Sequence, residues 1–294
     1  MDIGGRKIHL DCRGHGSPIV IFEAGLDTAG ALSWAKVHDA VARTTRACAY
    51  DRAGIMWSEP KQASQHADAV ADDLHATLAA AGERGPFVLV GHSLGGPYVM
   101  AYTRKFGDQV AGLVFVDASH PDQTRRLAEA SKQPADSGVA AIRTASDLAW
   151  TGIIRLATRD ASVARGAPAA VSRQVDAYFP TSLPALLSES IGTDRTFAEG
   201  GKLRALGDRP LVVLTAMAPM SADELKNENL SREDDARQRA VWKQLQNDEA
   251  SWSSRSRHQL LPDSTHYIQF DRPDAVIAAV REVIGTVREE APAR

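Results

Sequence analysis

The sequence holds only two cysteines, Cys12 and Cys48, and no C-x-x-C pair, so structural zinc and dithiol redox motifs have no donor set. Two free thiols in a cytoplasmic protein are the plain expectation from that count. Long apolar runs are missing as well: none approaches the roughly 18 residues that cross a bilayer, and no stable membrane insertion is expected. There is no surplus of positive charge. The formal net charge of −3 argues against nucleic acid or an anionic membrane surface as the main partner. Internal repeats and low-complexity tracts are absent, and Met1-Asp2-Ile3 leads almost directly into a strand, so no leader is expected.

What remains is a chain of 294 residues with globular proportions, 24% charged and 44% hydrophobic. That length suits one α/β core carrying an insertion. Short buried runs at 19–22, 47–50, 87–90, 112–117, 210–215 and 257–261 read as strands, with an edge strand over 5–10. Amphipathic stretches at 33–43, 66–81 and 273–284 read as helices, and a polar helix opens with Ser231 and Asp234 in capping-box spacing. Strands alternating with helices imply a mostly parallel sheet covered on both faces, with chemistry at the carboxyl ends of the strands. Residues 121–207 break the rhythm. They are rich in Ala, Ser and Pro and contain no convincing strand.

The chain is organised around Gly91-His92-Ser93-Leu94-Gly95, which stands between a β-branched run and a helical pattern. A turn this sharp holds its central serine in strained backbone, and a Cβ at either flanking glycine would strike a neighbouring strand or helix. Ser93 is therefore the candidate nucleophile, set at a helix N-terminus that favours developing negative charge. A serine hydroxyl needs a base. Of nine histidines, His266 lies between the last strand and the last helix, after a polar, small-residue lead-in, whereas His120 is a weaker rival and His92 packs under the turn.

The acid that would orient His266 is ambiguous. The strand at 210–215 is followed by Ala216-Met217-Ala218-Pro219-Met220, with no carboxylate before Asp223. Asp117 stands at the end of the strand 112–117 and is preferred; Asp223 is the alternative, and a turn-capping aspartate is the bland reading. Backbone N–H groups of Leu94 and Leu26 are the candidate oxyanion donors, with Gly25 letting the chain turn inward. Asp27 is close enough to reach a substrate, though a capping role serves equally well. Asp51 and Arg52 read as a structural ion pair or a surface turn.

Gly25-Leu26, GHSLGG, VDASHPDQ and THYIQFDRPD, in that order, resemble the α/β-hydrolase superfamily over nearly the whole chain, and more narrowly a broad group of bacterial hydrolases. The resemblance implies an α/β-hydrolase fold: a core of residues 1–120 and 208–294 and a helical cap over 121–207. Two departures stand out. The oxyanion loop reads Glu-Ala-Gly-Leu where many relatives carry His-Gly, and the usual acid after the late strand is missing, so some members' placement after the strand following the elbow fits Asp117. The resemblance also puts the strand 7–12 antiparallel to 47–50, which makes a Cys12–Cys48 disulfide possible. With it the protein would work in the periplasm or outside the cell; without it, in the cytoplasm. Bulky cap residues, Trp150 and Tyr178 among them, could line an apolar substrate pocket or simply pack the cap on the core.

The expected function is serine hydrolysis of a moderately hydrophobic carboxylic ester, a small molecule, by a monomer or homodimer with no metal or organic cofactor. Amide, lactone or C–C bond hydrolysis by the same residues is the alternative within enzymes. A ligand-binding receptor on the same fold is the alternative outside them.

Overall fold

The computed structural model describes residues 1–131, 138–157 and 166–290. Seven strands form one sheet: β1 (Leu10–Arg13), β2 (Ile19–Glu23), β3 (Ala47–Tyr50), β4 (Phe87–His92), β5 (Val110–Val116), β6 (Leu211–Ala216) and β7 (Ser256–Leu261). Their spatial order is β1-β3-β2-β4-β5-β6-β7, with β1 antiparallel to β3 and every other pairing parallel. The elbow strand β4 thus lies in the middle.

Period-two alternation divides the strand side chains between two apolar layers. On one face Ile21, Leu89, Leu113 and Phe115 pack with α2 (Ala67–Ala80) and α3 (Gly95–Phe106) through Leu74, Leu78, Tyr98 and Tyr102. On the other, Val20, Phe22, Val90 and Val114 meet α1 (His38–Ala42), the neighbouring Trp34, and α12 (Pro273–Glu290) through Val41, Val276, Val280 and Ile284. The span expected to be one helix over 33–43 is a 3-10 turn at Gly30–Trp34 followed by the short α1. The edge strand starts later than its pattern suggests, at Leu10.

Between β5 and β6 the described residues are helical. They form α4 (Gln123–Ser131), α5 (Val139–Leu148), α6 (Ile153–Ala157), α7 (Ala169–Ile191) and α8 (Thr193–Gly200). Between β6 and β7 come α9 (Ala222–Asn227) and α10 (Arg232–Ser251), the latter opened by the Ser231–Asp234 capping box. The short α11 (Ile268–Asp271) precedes α12. No helix of the described residues is long and apolar enough to cross a membrane.

Cys12 pairs with Cys48 in the β1–β3 ladder, and the two form a disulfide with Cα atoms 4.0 Å apart. The bond ties the antiparallel edge strand to its neighbour across a separation of 36 residues. Closing a loop of that length removes unfolded-state freedom amounting to about 4 kcal/mol. Reduction, or Cys12→Ser with Cys48→Ser, is expected to lower Tm by about 6–10 °C in calorimetry. An unchanged Tm with two titratable thiols would show that the edge is held without the bond.

Candidate active site

Four loops at the carboxyl ends of β2, β4, β5 and β7 carry Gly25, Leu26, Asp27, Ser93, Leu94, Asp117 and His266. The turn after β4 is built by exclusion. A Cβ on Gly95 would stand 2.5 Å from the Glu23 carbonyl oxygen on β2, and one on Gly25 would stand 2.9 Å from the Ser93 Cβ. Only glycine permits these approaches. Between them Ser93 takes φ of 51°, left-handed backbone that an L side chain disfavours.

Asp117 follows the last residue of β5 and also has positive φ, 46°. Its carboxylate is 3% exposed and fully engaged. Oδ2 lies 2.6 Å from His266 Nδ1, while Oδ1 accepts from the backbone N–H of Ala216 at 2.9 Å and from Trp242 Nε1 at 2.8 Å. The β6 terminus that lacks an acid therefore contributes a donor to the Asp117 carboxylate. Asp223 is elsewhere, solvent-exposed in the first turn of α9.

The His266 loop is pinned from below. Thr265 donates its N–H and its hydroxyl to Asp271 Oδ2 at 2.8 and 2.6 Å. His92, next to Ser93, has Nε2 3.0 Å from the His266 carbonyl and its ring centroid 4.7 Å from that of His266. Burial, then the neighbouring His266, pushes the His92 pKa well below its ordinary value. A neutral His92 donates from Nε2 to that carbonyl. The rival His120 is committed to a different cluster: its Nε2 is 2.9 Å from Asp248 Oδ2, and its Nδ1 accepts from the Asp122 N–H at 3.0 Å.

Leu26 and Leu94 flank the serine turn, one on the loop after β2 and the other directly after Ser93. Among the described residues neither backbone N–H donates a hydrogen bond within the protein. Asp27, expected as a possible substrate contact, turns back on its own loop. Its Oδ1 accepts from the Ala29 N–H at 2.8 Å, and Ser33 donates to the same carboxylate. Burial raises its pKa.

Asp51 and Arg52 are both buried, so of the two readings the surface turn does not hold, while the structural ion pair holds for Arg52 with partners other than Asp51. Asp51 accepts from the Ala31 N–H at 2.7 Å. Arg52 bridges Glu23 at the end of β2 to Glu189 on α7. Desolvation lifts the Glu23 pKa to about 7 despite the Arg52 charge. Trp150 is 87% exposed between α5 and α6. Tyr178 is half-buried on α7, with its ring set edge-on to Trp57 at 5.6 Å, in the small cluster that seats α7 on the core.

Sequence reading missed Trp242, Glu189 and Glu249. Trp242 had a signal, being the lone aromatic in the polar pattern of α10. Glu249, on the same helix, is 1% exposed, and its Oε2 has no hydrogen-bond partner among the described residues. Burial, then the Asp117 charge, drives its pKa well above the ordinary value. In the unfolded chain it ionises near the ordinary 4.5. Below that pH both states are protonated. Above it, unfolding releases a proton, so each further rise in pH favours the unfolded chain. Glu249→Gln removes that dependence. Its Tm difference from the parent is expected to grow in the variant's favour by several degrees between pH 4 and pH 7.5, on the order of 1–3 kcal/mol. A difference independent of pH would mean that Glu249 is ionised in the fold.

Among the described residues the one group with metal-ligand spacing is Cys12, Cys48 and Glu83. The disulfide consumes its two sulfurs, and Arg46 Nε holds both Glu83 oxygens at 2.8 and 2.9 Å.

A seven-stranded sheet in this order, with a serine elbow after its central strand and a histidine loop after its last, is the α/β-hydrolase fold. Residues 17–137 match the family model described as "alpha/beta hydrolase fold". An esterase from Thermogutta terrifontis superposes with a TM-score of 0.62 at 21% identity, covering 96% of this chain and 94% of that one. A second structure, described as an N-acyl homoserine lactone degrading enzyme, gives 0.64 at 20% identity over 95% and 97%. An epoxide hydrolase gives 0.64 at 16% identity over 97% of both chains. Likeness at such identities carries the fold alone. Among curated sequences, an uncharacterized protein of Schizosaccharomyces pombe is 40% identical over 74 residues, which is 25% of this chain and 14% of that protein. The chain spans well under half the length of the curated relatives it matches.

Proposed function

We propose that the protein is a serine hydrolase that cleaves carboxylic esters through an acyl-enzyme. The observation that carries the reading is the 2.6 Å contact between Asp117 and His266 Nδ1, beside a serine in left-handed backbone. In this reading Asp117 fixes the proton of His266 on Nδ1, leaving Nε2 free to accept. Ser93 Oγ attacks the ester carbonyl as its proton passes to Nε2. The N–H groups of Leu26 and Leu94 hold the oxygen that becomes negative. Collapse breaks the C–O bond, and the alcohol departs with the proton from His266. Water, deprotonated by the same ring, then frees the acid and restores Ser93.

Serine at the elbow favours acyl transfer over epoxide opening, which uses a carboxylate nucleophile at that place. A lactone is a cyclic ester and needs no further machinery. The Cys12–Cys48 bond suits an oxidising compartment, periplasmic or extracellular.

The test is turnover of a p-nitrophenyl ester series, with a fluorophosphonate probe mapped by peptide mass spectrometry. Ester turnover and a single adduct on Ser93 are expected. A chain that binds esters or lactones without hydrolysing them would be a receptor on this fold, and the enzymatic reading would fall.

A further inference from the structure

Arg52 lies outside the residues assigned above, yet its side chain hydrogen-bonds the loop that carries Leu26. Its guanidinium is buried and spends its five donors completely. Nε and Nη2 reach the two Glu189 oxygens, each at 2.8 Å, and Nη1 reaches Glu23 Oε1 at 2.7 Å. What is left goes to backbone: Nη1 to the Ala24 carbonyl at 2.8 Å and Nη2 to the Gly25 carbonyl at 2.6 Å. Tyr98, on the helix that the elbow opens, lies against its face with the ring centroid 4.9 Å from Cζ. The planar fork thus has a single orientation.

The Gly25 carbonyl shares a peptide unit with the Leu26 N–H. Among the described residues only two X-Pro bonds are cis, so this unit is trans, and its carbonyl and N–H point in opposite directions. Holding the carbonyl toward Arg52 aims the N–H away from it. The cation also draws electron density through the amide, which leaves the N–H a stronger donor. Gly25 itself is pressed against the Ser93 side, since a Cβ there would stand 2.9 Å from the Ser93 Cβ.

We propose that Arg52 is the positioning residue of the oxyanion site: through the Gly25 carbonyl it aims and polarises the Leu26 N–H, and Glu189 on α7 locks its fork in place. The inference rests on the serine-hydrolase reading. It also makes α7 a direct support of that site, because the helix outside the core sheet supplies the carboxylate that fixes the guanidinium.

Arg52→Lys keeps a positive charge between the two glutamates but lacks the second nitrogen of the fork. On a short p-nitrophenyl ester it is expected to lower kcat by about 10²-fold, the usual effect of losing an oxyanion donor, with KM within about threefold. A trifluoromethyl ketone, whose serine adduct carries an oxyanion, should lose affinity by the same factor, while the matching secondary alcohol binds as before. Glu189→Gln, which frees half the lock, should shift kcat and ketone affinity together by about threefold to tenfold. It also serves if Arg52→Lys does not fold. A folded variant of either kind that loses Tm but keeps kcat and ketone affinity within twofold would overturn the proposal, since a merely structural ion pair would behave that way. If the parent protein neither takes the fluorophosphonate at Ser93 nor binds the ketone, the serine-hydrolase reading fails first and this inference falls with it.

Discussion

Ser93→Ala is expected to lower kcat on short p-nitrophenyl esters by about 10⁵–10⁶-fold, the scale seen when a nucleophilic serine is deleted. Alanine tolerates the same backbone about as well as serine, so Tm should stay within a few degrees and the loss will not be one of folding. Fluorophosphonate labelling should vanish with activity. A small rate above buffer should remain, because the Leu26 and Leu94 amides are backbone and survive the change. If the variant kept more than a few per cent of activity, the nucleophile would lie elsewhere and the elbow would be a glycine-rich turn like any other.

Asp117→Asn is expected to cost about 10⁴-fold in kcat. The reason lies in the partners of the carboxylate. Oδ1 accepts from two donors, the Ala216 N–H and Trp242 Nε1, so in asparagine the amide oxygen must take that place. The amide NH2 is then turned toward His266 Nδ1, where Oδ2 stood. A donor facing Nδ1 forces the ring proton onto Nε2, the nitrogen that must accept from serine. The histidine stays in position with the wrong tautomer. Asp223→Asn, on the exposed first turn of α9, should leave kcat within twofold. A crippled Asp223→Asn beside an active Asp117→Asn would move the acid to the other loop and break the argument for His266 as well.

The strands were legible because both faces of this sheet are buried and continuous apolar runs mark them. The elbow was legible because its glycines answer to collisions that any reader of the pattern can anticipate. Asp117 was reachable from position alone, as the acid at the end of a strand. The donors that complete it were not, since Ala216 contributes a backbone N–H and Trp242 arrives from a helix far along the chain. The partners of Arg52 were out of reach for a related reason. An Asp-Arg pair after a short strand suggests solvent, and nothing local says that Glu189, more than a hundred residues later, will come down over it. Size misled at Trp150: a large apolar ring suggests burial, but this one stands in solvent. What sequence periodicity encodes is which face an element buries; which distant element covers it is decided by the whole packing.

Among the described residues, four other than glycine hold left-handed backbone: Met56, Ser93, Asp117 and Asn229. Two of the four are the proposed nucleophile and its acid. Each such residue raises the energy of the folded chain by about 1–2 kcal/mol, a load that the packed layers of the sheet must carry. At Asp117 the strain is offset by the hydrogen bonds of its carboxylate, so heat resistance and turnover are set against each other at Ser93. A selection that screened survivors of heating alone would drift toward glycine at 93, gathering sturdier proteins that hydrolyse nothing. A search for thermostable variants needs an activity screen at every round, or it will breed the chemistry out.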